Sequence, residues 1–210
     1  VTTAVVCQAA SVLLCYPDST VRAQLPQVHR AVQTLPTGTP RDRLLSFTEY
    51  ALAADPRTLE EHYVTVFDRK RRCCLYLTWW TDGETRRRGL SLARLKSVYR
   101  DHGLVLDGGE LPDFLPVMLE FTAATGNQLV GDHRAGLELL RLALVELDTP
   151  YVAPVEAVCA LLPGPSPQDV AAARALARSG PPTEEVGLAP YPTGSADLGP
   201  TSLRPTGGTR

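Results

Sequence analysis

The 210 residues carry 44% hydrophobic and 21% charged side chains, a balance that suits a globular chain with an apolar core and excludes a disordered polyelectrolyte. A net charge of −2 and an isoelectric point near 6.1 give no global reason to bind nucleic acid or an anionic membrane, so any basic patch must be local. Five cysteines (Cys7, Cys15, Cys73, Cys74, Cys159) form no C-x-x-C pair, which removes the signal for a zinc ribbon or a thioredoxin-type pair and leaves small buried thiols in a reducing cytosol as the expectation.

Residues 3 to 16 place Val6, Ala9, Ala10, Leu13 and Leu14 at helical spacing, and Pro17 stops the pattern. This apolar N-terminal stretch has no Lys or Arg before Arg22 and no small-residue cleavage site, so it is not expected to be a signal peptide. No apolar run reaches the ~18 residues that a membrane span requires, and a cytoplasmic protein is expected. Asp18 or Ser19 caps a second helix with Val21, Leu25, Val28, Val32 and Leu35 on one face, kinked or split at Pro26. Thr39-Pro40 and Asp55-Pro56 each read as an N-cap followed by a first-turn proline. The helix after Asp55 carries Leu59, Tyr63, Val66 and Phe67 as a buried stripe.

Residues 67 to 89 follow, holding seven of the 21 Lys and Arg residues, both tryptophans and the pair Cys73-Cys74. Thr81-x-x-Glu84 fits a capping box for a helix with Leu92, Leu95, Val98 and Tyr99, ended by Gly103 at C′. A loop over 104 to 112 is expected next. Asp113 reads as the N-cap of a helix whose first turn contains Pro116, and Asp132 as the start of one carrying Leu137, Leu140, Leu144 and Leu147. A short helix spans 154 to 162, and Ser166 to Asp169 opens another that reaches Arg178. Residues 180 to 210 hold six prolines and six glycines with few large apolar groups, and burial there cannot offset the entropy of ordering. The expected fold is all-α: a single-domain helical bundle of about eight to nine helices over 1–179, with a disordered Pro/Gly-rich tail over 180–210.

The basic blocks Arg69 to Arg72 and Arg86 to Arg88, with Trp79 and Trp80 between them, could in principle grip nucleic acid. Asp68, Asp82 and Glu84 reduce the stretch to a net +4, which favours solvated faces with local ion pairs. His29, His62, His102 and His133 form no metal-ligand pattern, and neither a nucleophile elbow nor a phosphate loop is present. An enzyme is therefore not expected. From Asp101 to Glu120 the chain has five carboxylates and no Lys or Arg. Glu110 sits there in a Gly-rich loop beside Leu111, Pro112 and Phe114, the combination that a basic amphipathic peptide would need for docking. A plain acidic loop is the alternative.

Several motifs occur in one order: Leu13-Leu14-Cys15-Tyr16-Pro17-Asp18, Tyr63-x-x-x-Phe67-Asp68, Arg71-Arg72-Cys73-Cys74-Leu75-Tyr76-Leu77-Thr78, Thr85-Arg86-Arg87-Arg88-Gly89 and Glu110-Leu111-Pro112-Asp113-Phe114-Leu115-Pro116. Together they resemble the NarJ-type chaperones, the delta subunits of respiratory nitrate reductase, within the wider set of redox-enzyme maturation chaperones of molybdenum enzymes. The resemblance covers roughly residues 10 to 148. It implies an all-α cytoplasmic protein with no stable membrane insertion and no stably bound cofactor. Such a protein binds the apo catalytic (alpha) subunit, including its N-terminal leader-like segment. It keeps that subunit competent for insertion of molybdopterin guanine dinucleotide before membrane attachment, with cofactor-biosynthesis proteins as further partners. On this resemblance the peptide-binding residues are Tyr63, Phe67, Glu110, Pro112, Asp113 and Phe114. Phe114 stands where related chaperones carry a histidine. Arg71, Arg72, Arg87, Arg88 and Gly89 form a supporting signature. A maturation chaperone for another molybdenum oxidoreductase, a helical nucleic-acid-binding regulator using the Arg clusters, and an enzyme or cofactor carrier using Cys73-Cys74 are the rival readings.

Overall fold

The computed structural model describes residues 2–69, 73–107, 109–178 and 202–205. Helix α1 (Thr2–Leu13) runs through the middle, with Val6, Ala10 and Leu13 at 0–3% exposure. Its small residues Ala9 and Ala10 let neighbours approach closely. It packs on α2 (Ser19–Gln33), α3 (Thr39–Ala53), α7 (Leu115–Thr125) and α10 (Val152–Cys159). The α1–α7 contact includes a buried polar tie, in which the Ser11 hydroxyl donates to the Pro116 carbonyl at 2.8 Å. The core is one continuous cluster in which Leu14, Leu44, Leu77, Met118, Phe121, Leu137 and Tyr151 are almost fully buried. Each such side chain stabilises the fold by roughly 1.5–3 kcal/mol through burial.

The local start signals operate as their chemistry dictates. Asp18 caps α2 by accepting from Val21 N at 2.8 Å, and Asp55 caps α4 (Pro56–Tyr63) by accepting from Arg57 N and Thr58 N. Asp169 does the same for α11 (Val170–Arg178) through Ala172 N. Pro26 does not split α2, which continues through it to Gln33. The end of α4 widens into a five-residue π-turn, Val64–Asp68, closed by Arg69 N donating to Val64 O at 3.0 Å.

Other boundaries differ from expectation. The box Thr81-x-x-Glu84 does not start a helix, because Thr81 and Asp82 end α5 (Leu77–Asp82). Gly83, at φ +60°, turns the chain so that Thr85 becomes the N-cap of α6 (Arg86–Asp101), which ends at Gly103 with φ +72°. Asp113 is not the cap of α7 either; Phe114 takes that place and the Asp113 carboxylate turns into the core. Helix α8 (Leu129–Asp132) ends rather than begins at Asp132, and α9 (Arg134–Glu146) follows. Short helices such as α5 and α8 carry the number above the eight to nine expected, to eleven α-helices among the described residues.

The loop expected over 104 to 112 contains a strand, β1 (Leu104–Asp107), paired antiparallel with β2 (Ser202–Pro205). Leu104 and Leu106 pack on the core while Val105 is 38% exposed, a period-2 alternation too short to register as a strand in sequence. Four residues of the tail expected to be disordered are thus paired. Side-chain composition sets the gain from burial but not the gain from backbone bonding to an open strand edge. The rest of the tail lies outside the described residues.

Candidate peptide-recognition site

The loop that carries Glu110 is fastened to the chain between Leu75 and Thr78. Leu77 N donates to Asp113 O at 3.0 Å and Leu115 N to Leu75 O at 2.8 Å, so Tyr76 and Phe114 face each other as an isolated antiparallel bridge. Pro112 is buried, and its carbonyl accepts from Tyr99 Oη at 2.6 Å. Tyr99 is itself 1% exposed on α6. The loop therefore has a fixed path.

Asp113 is fully buried, and a lone carboxylate there would be strongly disfavoured. Two partners compensate it. Thr78 Oγ donates to Oδ2 at 2.5 Å, and Arg88 Nη2 lies 3.4 Å from the same oxygen. Among the described residues Oδ1 has no hydrogen-bond partner. The Arg88 guanidinium also stands 5.9 Å from the centre of the Tyr76 ring, close enough for a cation–π attraction. Tyr76 Oη donates to Glu110 Oε1 at 2.9 Å, and the Tyr76 and Phe114 rings are 5.3 Å apart. Burial, then the Glu110 carboxylate, hold the Tyr76 hydroxyl far above its usual range, so it remains a donor.

Tyr63 and Phe67 belong to a separate cluster of rings. Their rings are 4.8 Å apart, and Tyr151, the N-cap of α10, lies 5.8 Å from the first and 4.9 Å from the second. Tyr63 is 6% exposed and donates through Oη to Leu14 O at 3.2 Å. It is therefore the floor of this platform. Phe67 is half-buried and Tyr16, edge-on to Tyr63 at 5.5 Å, is the outermost ring at 43% exposure. A polar pocket of about 420 Å3 opens beside it, lined by Tyr16, Glu60, Val64 and Arg69 among others. Cys15 follows the Leu14 carbonyl that Tyr63 holds, and its thiol donates to Ser11 O at 3.3 Å. Burial first, then the carboxylates of Glu120, Asp18 and Glu110, push that thiol up to about 12. Glu120, half-buried on α7, has its own carboxyl raised by burial.

The remaining residues singled out in sequence divide three ways. Arg88 joins the site through Asp113. Arg87 points to solvent at 81% exposure, 3.5 Å from Asp82, a geometry of little energetic weight. Gly89 lies on the exposed face of α6 with open space where its Cβ would be. Arg71 and Arg72 lie outside the described residues. Trp79 and Trp80 are half-buried and edge-on to each other at 5.2 Å, and they line an open groove of about 680 Å3 against α9 and α11. Tyr76, Thr78, Tyr99, Tyr151 and Tyr16, which contact these residues, are not among those expected from the sequence. Only the alternation of Tyr76 and Thr78 within the Arg71 to Thr78 run hinted at two side chains on one face.

Among the described residues no group of three or more His, Cys, Asp or Glu is placed to hold a metal ion, and no helix is long and apolar enough to cross a membrane. The Cys7 thiol is pushed up to about 11 by burial, which makes it a poor nucleophile.

Residues 33–157, which contain every site residue expected from the sequence, match the family model described as nitrate reductase delta subunit. The chain is 42% identical over 116 residues to the probable nitrate reductase molybdenum cofactor assembly chaperone NarJ of Bacillus subtilis, covering 55% of this chain and 63% of that protein. It is 40% identical over 159 residues to the nitrate reductase-like protein NarX of Mycobacterium tuberculosis, covering 74% of this chain and 24% of that one. To the nitrate reductase molybdenum cofactor assembly chaperone NarJ of Escherichia coli it is 34% identical over 113 residues, covering 53% of this chain and 48% of that protein. The matched stretch thus spans less than two thirds of each of these relatives. With the family match extending over more than half of its length, the chain belongs to the nitrate reductase delta subunit family.

Proposed function

We propose that this chain is an assembly chaperone for the molybdenum cofactor of a nitrate reductase, working in the cytoplasm and performing no catalysis of its own. In this reading it binds the apo alpha subunit through its N-terminal leader-like segment. It keeps that subunit competent to receive molybdopterin guanine dinucleotide and delays membrane attachment until insertion is complete. The unit that does so spans 1–179, and residues 180–210 form an appendage to it.

The observation that carries this reading is the fixed acidic and aromatic group of Glu110, Tyr76 and Phe114, built into a chain whose relatives are named as such chaperones. A basic, amphipathic peptide would place its cation on Glu110 and its apolar side chains on the rings. Fixed backbone around Asp113 lowers the ordering cost on binding. Isothermal titration of the chain with the N-terminal peptide of a nitrate reductase alpha subunit tests the reading. Saturable binding that weakens about ten-fold in Glu110→Gln is expected, from loss of a charge-assisted contact. Affinity equal in the variant and the wild type would remove the acidic loop from the account.

A further inference from the structure

A carboxylate on a Gly-rich loop would ordinarily sample many directions, and a weakly directed charge discriminates poorly between ligands. Among the described residues Glu110 has one hydrogen bond, from the hydroxyl of Tyr76 to Oε1 at 2.9 Å. Among the described residues no hydrogen bond uses its Oε2, and no ion pair engages the carboxylate. Tyr76 is held in turn by its bridge to Phe114, by ring contact with Phe114 at 5.3 Å, and by the Arg88 guanidinium 5.9 Å from its ring centre. Arg88 is anchored on the opposite side by Asp113. The chain of contacts Asp113–Arg88–Tyr76–Glu110 therefore runs from a fully buried carboxylate to a half-buried one.

We propose that Tyr76 is the positioning residue of the peptide site: it fixes the Glu110 carboxylate through Oε1 and leaves Oε2 to accept from a guanidinium or ammonium group of the partner peptide. This rests on the docking reading above and adds to it the residue that makes the loop selective for cationic over neutral segments. The geometry matches the requirement. A carboxylate can accept several hydrogen bonds at once, so the Tyr76 bond restrains Glu110 without consuming its capacity. Phe in place of Tyr76 keeps the ring packing against Phe114 and the face offered to Arg88, and removes only the restraint.

The test is titration of the full chain, wild type and Tyr76→Phe, with two synthetic peptides: the alpha-subunit N-terminal segment, and the same segment with its Lys and Arg replaced by Gln. The variant is expected to bind the basic peptide about five-fold more weakly, as loss of one restraining hydrogen bond predicts. Binding of the neutral peptide is expected to be the same in both proteins. In a Glu110→Gln background, Tyr76→Phe should have no further effect, because the two residues act as one unit. Equal or tighter binding of the basic peptide by the variant overturns the assignment, as does a loss that is the same for both peptides. Failure of the wild type to bind either peptide overturns the docking reading, and this assignment with it. Binding by the wild type with Tyr76→Phe unaffected overturns the assignment alone.

Discussion

Arg88 Nη2 lies 3.4 Å from Asp113 Oδ2 across 25 residues of sequence, and Asp113 has no solvent exposure. The pair ties α6 to the loop before α7, so two motifs that are far apart in sequence form one structural unit. Removing the arginine leaves a buried charge held mainly by Thr78. Arg88→Ala is expected to destabilise the chain by roughly 1–3 kcal/mol, below the usual range for a buried pair because the guanidinium is partly exposed and the contact long. Urea unfolding measures this as a lowered midpoint, and an unchanged midpoint would show that Asp113 needs only Thr78.

Two glycines should respond in opposite directions to alanine. A Cβ on Gly136 would lie 2.6 Å from the Leu77 carbonyl oxygen, so α9 can sit against the start of α5 only without a side chain. Gly136→Ala is expected to cost about 1–3 kcal/mol through forced separation of the two helices. Gly89 lies in the interior of α6 with nothing within 4 Å of its missing Cβ. Gly89→Ala should stabilise by about 0.5–1 kcal/mol through helix propensity. Paired thermal melts decide both, and stabilisation by Gly136→Ala would contradict the close approach.

Glu138 is fully buried on α9 between Arg134 at 3.5 Å and Arg141 at 2.7 Å, and accepts from Ser166 Oγ at 2.7 Å. The same arginines donate to carbonyls of the segment ahead of α11, Arg134 to Gly164 and Pro165 and Arg141 to Pro167. This cluster holds α11 on α9. Glu138→Ala should leave two cations uncompensated and destabilise by about 3–5 kcal/mol. Amide exchange is expected to accelerate first in α11, and uniform loss of protection across the chain would argue against a local anchor.

His62 gives a pH dependence of definite sign. Its Nδ1 is 2.7 Å from Tyr50 Oη, its Nε2 is 3.0 Å from Thr149 Oγ, and burial lowers its pKa from the ordinary 6.5. A group whose folded pKa is depressed contributes stability that is present above the unfolded value and lost as pH falls through the folded one. The melting temperature should therefore decline as pH drops below 6.5, and His62→Gln should reduce that decline. A variant with the same pH slope as the wild type would assign the dependence to other groups.

Helices and their starts were largely legible where the deciding bond is local. Asp18, Asp55 and Asp169 each cap the helix within three residues of themselves, and such bonds follow from residue type and position. Asp113 carries the same local signal, yet it turns inward because Thr78, 35 residues earlier, offers it a buried donor. Thr81 lost its expected role to Thr85 once Gly83 turned the chain. Strand β1 was hidden because its partner is almost a hundred residues away, and pairing depends on that edge being open.

Taken alone, the sequence determined an all-helical core, the positions of most helices, the family motifs and the acidic stretch around Glu110, because periodicity, capping and charge are properties of neighbours along the chain. Only the tertiary structure decided that Arg88 belongs to Asp113, that Tyr63 bonds the Leu14 carbonyl and packs on Tyr151, and that Tyr76 holds Glu110. Those outcomes depend on burial and on donors brought in from distant segments, where a polar group must take whatever partner the fold supplies.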